Sequence, residues 1–514
     1  MKYCRKYRKK TTLWIIGTVV VLLIGNLPGS NPYQYPVSFY TGIQLNNLSQ
    51  QIHVNPGWFV YTDNESYVRY SSQANSAFGD FKRYLDPGRV SDSYWSASGA
   101  KILGGNTLFS GTFAYRYQNI KEKAWTHNRQ PYKGMPFVMA DSSVGGFDLN
   151  GLLWQVNISK ELWKNRFYQG ISIFYNVDEE YKDIFPRPRV KHRDLSISLG
   201  SGFIPYGDSR LGITLQYFSF QELMITSKYS LEQAKTPLFF KLRGLDTPLI
   251  FRGQTSEERL MTIEGFSVSL DGLLKAVFPD QLTFQTTYEN AVADNVDGGA
   301  YPIEQGGWRS ERYFYSAGLF FNLAESVDLI FFSSGMLHKH NADHPDFDVE
   351  IYEQITRRLS GGVKLDFHPN NAFSFSPCLY VSSHTLKRTD KFNGILDYFP
   401  GTTISAEIKT TFPLIKGNSG QLNFGADRMI VSESTVLLPR EVGFYYQTVT
   451  RFDEDYFETE FQDVWISSRI AIGKRKRVIL EAGYHHIVPI GASNFDRKNR
   501  DLLSLVLSFE QLDL

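Results

Sequence analysis

The chain has 514 residues, a formal net charge of +1 and two cysteines, and 15% of its residues are aromatic. Six Lys or Arg side chains lie within the first ten residues, and the remaining chain carries about −5, which excludes the basic footprint of a nucleic-acid-binding protein. Cys4 lies in the same stretch, so Cys378 remains alone and an internal disulfide is excluded in the exported chain.

Residues 1–29 have the layout of a secretory signal peptide. Basic residues up to Lys10 precede an apolar run from Leu13 to Ile24, and small and turn-forming residues follow. The run is short against the ~20 apolar residues of a spanning helix. We therefore predict cleavage near Gly25 or Gly29 rather than an uncleaved anchor.

Residues 30–106 form an N-terminal segment that is rich in Tyr, Ser, Asn and Gly and alternates only weakly. It either adds two strands to the sheet that follows, inserts into the interior of that sheet, or is a periplasmic lead-in. Its charges favour the insert, because a polar interior accommodates them better than lipid does: Asp80, Lys82, Arg83, Asp86 and Arg89.

Residues 107–514 alternate strongly and predict strands. In the stretch 107–117, Phe109 and Phe113 fall on one face and Ser110 and Thr112 on the other. The pattern recurs about sixteen times, within limits of 14–18, down to the last residues. We predict an all-β fold, a transmembrane antiparallel outer-membrane β-barrel, rather than a soluble sandwich.

The connections between the predicted strands alternate in length. Short turns such as Pro205–Asp208 are followed by long segments such as 220–262 and 429–462. Outer-membrane barrels have short periplasmic turns and long external loops. Both termini are therefore predicted on the periplasmic side.

Charged residues on the inward face are the candidate lining of the lumen, because Arg or Lys on the lipid face at mid-depth costs ~2–4 kcal/mol. Seven are acidic and four basic, which predicts a weakly cation-preferring or zwitterionic passage. The alternative is a lumen that is filled by paired charges and an N-terminal insert and is closed to solutes at rest. The candidates are Arg116, Asp271, Glu289, Asp328, Lys364, Asp366, Glu407, Lys409, Asp427, Arg469 and Glu481.

A histidine-rich stretch falls in a predicted external loop. His338, His340 and His344 are weak metal candidates, because two His two positions apart share a metal only in an extended conformation and no Cys supports a structural site. We predict neither a metal nor a cofactor, and interpret the stretch as a solvated loop.

Catalysis is the third functional alternative. His384, His485 and His486 lie near strand ends, with Ser and Asp nearby. No Gly-x-Ser-x-Gly turn leads from a strand into a helix, so an outer-membrane hydrolase is disfavoured. Aromatic residues of the predicted loops could stack on sugars, although packing roles are commoner: Trp125, Tyr132, Phe137, Trp308 and Tyr352.

Two stretches within 76–117, Phe78–Tyr84 and Phe109–Tyr117, resemble an uncharacterised family of Bacteroidota outer-membrane β-barrel proteins, a domain of unknown function. The resemblance in layout covers nearly the whole mature chain and implies fold and location. It also implies TonB-linked uptake systems as neighbours, and it brings no catalytic or binding residues. The chain departs from the usual ending, because Phe509 is the last aromatic and Leu514 is terminal.

Together these features predict an exported barrel in contact with outer-membrane lipid. Its predicted function is passage or uptake of a small hydrophilic solute. The alternative is a closed barrel that acts as a surface receptor or scaffold in an envelope complex. The two differ in whether residues 31–106 enter the lumen, because an open lumen at this strand count leaves a channel.

Overall fold

The structure is a computed structural model. It describes residues 55–59 and 66–512, apart from short gaps at 105, 130, 164–165, 185–186, 227–238, 247, 252–256, 276–278, 300, 348, 371–372, 415–417, 474 and 492–493. The predicted signal peptide lies outside the described residues. No helix among the described residues is long and apolar enough to cross a membrane.

The described residues form twenty-two strands, of which eighteen close an antiparallel barrel. Each barrel strand pairs with the next one along the chain, and the last pairs with the first, Tyr67 opposite Leu512. The strands are β1 Tyr67–Phe78, β2 Arg89–Leu103, β3 Thr107–Lys123, β4 Phe137–Asp141, β5 Gly145–Trp163, β6 Phe167–Lys182, β7 Arg189–Phe203, β8 Arg210–Ile225, β9 Phe239–Arg243, β10 Leu249–Phe251, β11 Glu258–Lys275, β12 Gln281–Asp297, β13 Ile303–Ala324, β14 Val327–Asp343, β15 Glu350–Asn370, β16 Phe373–Asp390, β17 Ile395–Pro413, β18 Ser419–Val431, β19 Thr435–Leu437, β20 Glu460–Ile472, β21 Lys476–Ile490 and β22 Arg500–Leu512.

The predicted outer-membrane-type barrel is confirmed by this closed sheet. Its outer face exposes large apolar side chains, including Phe113, Leu270, Ile404 and Leu505. The neighbouring positions on the inner face are mainly polar, as alternation across a strand between lipid and an aqueous interior requires.

The strand count is at the upper limit of the predicted range. β1 and β2 both lie within residues 30–106, so the closed sheet begins before residue 107. The apolar alternation is weak here because β2 carries Ser or Ala on both faces, as in the run Ser96–Ala100.

The strands reach further than the hydrophobic pattern predicts at the long-loop end. β14 extends to Asp343 and β15 begins at Glu350, although 336–357 is predicted as a loop. His338 and His340 therefore lie on a strand, and their assignment to an external loop is wrong. Outside the apolar band the outer face becomes polar, as at Lys339, so the alternation disappears while the backbone ladder continues.

The main hydrophobic core sits at the long-loop end. The described residues of five connections, 79–88, 124–144, 226–257, 432–459 and 491–499, pack against the inner faces of the strands, and we call them the cap. The cap contains the three-stranded sheet β4–β9–β10 and a short helix, α1, Arg451–Phe457, preceded by a π-helical turn at Tyr446–Thr450. β19 pairs with β17 at the rim.

Candidate functional site

The eleven predicted lumen residues all lie on the inner face of their strands, opposite the exposed apolar side chains. Several are joined to opposite charges. Arg116 donates to Asp92 at 2.9 Å, and Lys364 and Asp366 are 2.8 Å apart. The inner face is therefore a mixed-charge surface in which acidic groups have basic neighbours.

Further ion pairs also join acidic groups of the inner face to basic neighbours. Arg469 lies 3.1 Å from Glu481 on the neighbouring strand, and Glu289 pairs with Arg312. Arg312 and Asp92 are both absent from the predicted set, so the count of seven acids to four bases omits wall charges of both signs.

Four predicted residues have other surroundings. Asp328 accepts a hydrogen bond from Asn322 at 3.2 Å. Glu407 and Lys409 lie two positions apart on β17. Asp427 is 8% exposed and lies opposite a second carboxylate, Asp463, on β20. The eleventh residue, Asp271, belongs to a built site that includes the N-terminal segment.

Residues Asn55–Phe59 lie inside the barrel, and we call them the insert. Pro56–Trp58 form one 3-10 turn, and the Asn55 side chain caps it by accepting a hydrogen bond from the Gly57 amide at 2.9 Å. Asn at this position and Pro at the first residue of a turn are the usual residue types, so the local sequence favours this turn.

Hydrogen bonds attach the insert to four barrel strands. The Asn55 amide donates to the carbonyls of Ser201 and Ile213, at 2.9 and 3.2 Å. The Trp58 indole donates to the Asp271 carboxylate at 2.7 Å, and the Ser159 hydroxyl donates to the Gly57 carbonyl at 3.0 Å. Asn55 also donates to Asp271 at 3.2 Å.

The wall beneath the insert consists of glycines. A Cβ at Gly170 would lie 2.2 Å from the Pro56 carbonyl oxygen, and a Cβ at Gly200 would lie 2.1 Å from the Asn55 side-chain oxygen. Gly202 meets the Trp58 ring in the same way. Close backbone approach of this kind requires glycine, so the wall is shaped to the insert.

A cavity of about 360 Å³ opens beside the insert, toward the short-turn end of the barrel. Its volume is within the range of small-molecule pockets, roughly 300–1,000 Å³. Its lining, which is polar, aromatic and aliphatic, comes from the insert and from β8, β11, β12 and β13: Trp58, Arg210, Asp271, Gly272, Leu273, Thr283, Phe284, Gln285 and Ser316.

The cap is held by buried charges that join different loops. Arg83 pairs with Asp453 at 2.6 Å, and the Tyr84 amide donates to the same carboxylate at 3.1 Å. Asp246 accepts hydrogen bonds from the amides of Gly443 and Tyr446. These contacts join three of the five cap connections.

Two cap carboxylates have opposite electrostatic surroundings. Burial raises the pKa of Asp86 to about 6, although Arg83 and Arg500 favour its charged form. Asp141 is also buried, but hydrogen bonds and charge from His127 and Lys182 lower its pKa to about 2. Asp86 therefore destabilises the cap at neutral pH, and Asp141 holds it together.

The predicted loop aromatics pack in the protein interior. Trp125 stacks near Phe240, at 5.4 Å between ring centroids, and the Tyr132 hydroxyl accepts from the Leu85 amide. Phe137 lies on β4 and is buried. Trp308 and Tyr352 lie on β13 and β15 and are buried, so their assignment to external loops is wrong.

The histidines are dispersed over the inner wall and the rim. His338 and His340 are neighbours on β14 with ring centroids 3.9 Å apart, and the Ser310 hydroxyl lies 2.8 Å from His338. His344 lies near Asp346 in the following turn. Among the described residues, no three His, Cys, Asp or Glu side chains are grouped to hold a metal ion.

The remaining predicted histidines lie on two strands, His485 and His486 on β21 and His384 on β16. His485 bonds to Asp463 at 3.1 Å, and His486 bonds to Asp501 at 2.7 Å. His384 is buried on β16, where it lies over Gly401.

The insert and its glycine seat are the site that sequence reasoning missed. Two signals could have revealed them. Asn55–Trp58 reads Asn-Pro-Gly-Trp, a turn-forming run that ends in a large aromatic. Gly200 and Gly202 recur at alternate, inward positions of β7, where a lumen wall normally carries side chains.

Comparison with solved structures finds outer-membrane proteins of low sequence identity. The ferric preacinetobactin receptor BauA from Acinetobacter baumannii has a TM-score of 0.41 at 8% identity, over 87% of this chain and 80% of that one. The copper transporter OprC has a TM-score of 0.43 at 9% identity, over 86% and 80%. A FadL homologue from Pseudomonas aeruginosa has a TM-score of 0.33 at 10% identity, over 90% and 93%.

No curated protein matches the chain. A family model described as a family of unknown function, DUF6850, matches residues 56–510, which include the insert from Pro56 onward and nearly all of the closed barrel. The chain therefore belongs to this family of unknown function.

Proposed function

We propose that this protein is an outer-membrane uptake component for a small hydrophilic solute, closed at rest and opened by movement of the insert. The observation that carries the proposal is the insert seated on glycines inside a polar lumen, with Trp58 bonded to Asp271. An apolar outer band and a polar, ion-paired interior suit a route for solutes through lipid.

The position of the insert indicates where an opening force acts. Both ends of the barrel chain, Tyr67 and Leu512, lie at the short-turn end, which faces the periplasm in outer-membrane barrels. The insert contacts the barrel strands near this end, so a periplasmic partner would act on it from there. A TonB-linked system is the partner class we propose, because an insert attached by few hydrogen bonds can be pulled from its seat.

Single-channel conductance of the refolded mature protein in a planar bilayer tests the proposal. We compare the wild type with Trp58→Ala, Asp453→Ala and the double variant, because the insert and the cap each obstruct the lumen. We expect no steady open steps from the wild type and steady steps from the double variant. The single variants show which obstruction closes more tightly.

Two outcomes contradict the proposal. Steady open steps from the wild type would show an ungated pore. Silence from a correctly folded double variant would exclude a solute route. A Trp465→Ala variant is the control, because Trp465 also lies on the inner wall but does not belong to the insert.

The second candidate is a closed barrel that serves as a surface receptor. It is favoured by exposed aromatics at the tips of neighbouring hairpins at the long-loop end. Tyr301 is 86% exposed, Phe347 72% and Phe392 53%. Silence of the double variant in the conductance experiment would favour this function over uptake.

A further inference from the structure

We propose that the cavity beside the insert binds a neutral polyhydroxyl solute, a single sugar ring, and that the insert forms one wall of the site. The inference rests on the proposed uptake function and names its substrate class. It is carried by the cavity of about 360 Å³ and by the chemistry of its lining.

The lining provides the groups that bind sugars. Trp58 supplies an indole at the edge of the cavity, and an aromatic surface suits the apolar C–H face of a sugar ring. Asp271 accepts hydrogen bonds, and the Arg210 guanidinium donates them. Gln285 does both, and it lies directly opposite Asp271 on the neighbouring strand β12.

The charge of the lining favours a neutral solute over an ion. Arg210 and Asp271 are its charged residues, and they are opposite in sign. Thr283 and Ser316 add hydroxyl groups that are both donors and acceptors. A solute with several hydroxyl groups can satisfy this set, whereas an anion or cation would leave one of the two charges opposed by a like charge.

The insert and the solute are coupled because Trp58 belongs to both sites. The indole nitrogen donates to Asp271 at 2.7 Å while the residue borders the cavity. The site is complete only with the insert seated. By linkage, bound sugar stabilises the seated insert, and any change that releases the insert weakens sugar binding.

Calorimetric titration of the refolded, detergent-solubilised protein tests the inference. The probes are glucose, galactose, mannose and xylose, with acetate and inorganic phosphate as charged comparisons. We expect at least one sugar to bind and neither acetate nor phosphate to bind. Binding of no sugar, or tighter binding of acetate or phosphate, overturns the inference.

Variants locate the site. Gln285→Ala and Arg210→Gln should each weaken sugar binding by about tenfold, because each removes a hydrogen bond. Gln421→Ala is the matched control, since Gln421 is an inward glutamine near the same end of the barrel on β18. Equal weakening by Gln421→Ala would overturn the assignment.

A separate variant, Asn55→Ala, tests the coupling between the seated insert and sugar binding. Asn55 does not line the cavity, but Asn55→Ala removes the hydrogen bonds that hold the insert. It should weaken sugar binding while Gln285 and Arg210 remain intact, and unchanged affinity would overturn the shared wall. The calorimetric experiment measures binding alone and does not require transport through the barrel, so the two proposals can fail separately. Sugar binding with no opening in the bilayer refutes the uptake function alone, and opening without binding refutes this site alone.

Discussion

The cap and the insert obstruct the same lumen by different means. The cap is a second folded core in which Phe81, Phe240 and Phe495 are completely buried and charged side chains join distant loops. The insert is five residues long and is attached by a few hydrogen bonds to a wall of glycines. A barrel can therefore be closed in two ways: by a thick packed core such as the cap, or by a small segment such as the insert that fits the shape of its wall.

The cap and the insert should therefore differ in the free energy that is needed to move each of them out of the lumen. Apolar burial and buried ion pairs in the cap are lost together when it opens, because its loops depend on one another. The insert gives up the burial of one aromatic side chain, Trp58, and a few hydrogen bonds, each worth about 1 kcal/mol net. The insert is therefore the element suited to the movement that the proposed uptake function requires.

The largest expected effect is loss of the cap in Asp453→Ala. Arg83 would be left buried without its partner, at a cost of ~3–5 kcal/mol. Hydrogen exchange in residues 79–88 and 432–459 should accelerate while the barrel strands stay protected. Arg451→Ala is the control, because the Arg451–Asp455 pair has an exposed basic partner. Uniform acceleration through the barrel strands would contradict a separate cap.

The cap should also become more stable as the pH falls. The folded cap raises the pKa of Asp86 to about 6 from 3.8, so it binds this proton more tightly than the unfolded loop. Stability should rise by ~2–3 kcal/mol as the pH falls from above 6 toward 4. Hydrogen exchange at pH 7.5 and pH 4 measures the change, since its chemical rate can be corrected for pH.

Asp86→Asn should remove this contribution to the pH dependence. Asp80→Asn is the matched control, because Asp80 lies in the same connection and is exposed. If both variants keep the dependence of the wild type, another group is responsible.

Displacement of the insert by Gly170→Ala is the next effect in size. The new Cβ would lie 2.2 Å from the Pro56 carbonyl oxygen, and overpacking of this kind costs ~1–3 kcal/mol. The fluorescence difference between each protein and its Trp58→Phe counterpart reports the environment of Trp58. We expect its emission to shift to longer wavelength as the indole enters water. Gly361→Ala is the control, since its Cβ would meet nothing nearer than 3.7 Å.

Ser159→Ala should have the smallest effect. It removes the hydrogen bond from the hydroxyl to the Gly57 carbonyl, worth ~0.5–1.5 kcal/mol. The Trp58 signal should be lost at a lower temperature than in the wild type, while the barrel melts unchanged. Ser508→Ala, which removes a hydroxyl pair with Ser71, is the control. An identical change in both variants would show that Ser159 acts on the barrel as a whole.

Sequence reasoning succeeded where one local rule applied along the whole strand. Phe113 and Leu270 are exposed on the outer face and their neighbours face the interior, so a period of two was visible. It failed on β14 at His338, because the outer face beyond the lipid is polar and the alternation is lost there. Sequence reasoning also left β2 as one of three alternatives, because its small residues differ little in polarity between the two faces of the strand.

The sequence by itself determined an all-β chain with an apolar exterior and a charged, polar interior, because lipid and water select residue types strand by strand; export stays a prediction. Only the tertiary structure decided how the lumen is obstructed. Arg83 meets Asp453 across 370 positions, and Asn55 meets Asp271 across 216. Such contacts depend on closure of the barrel, which brings distant loops and the N-terminal segment into one interior. The local periodicity of the sequence cannot predict them.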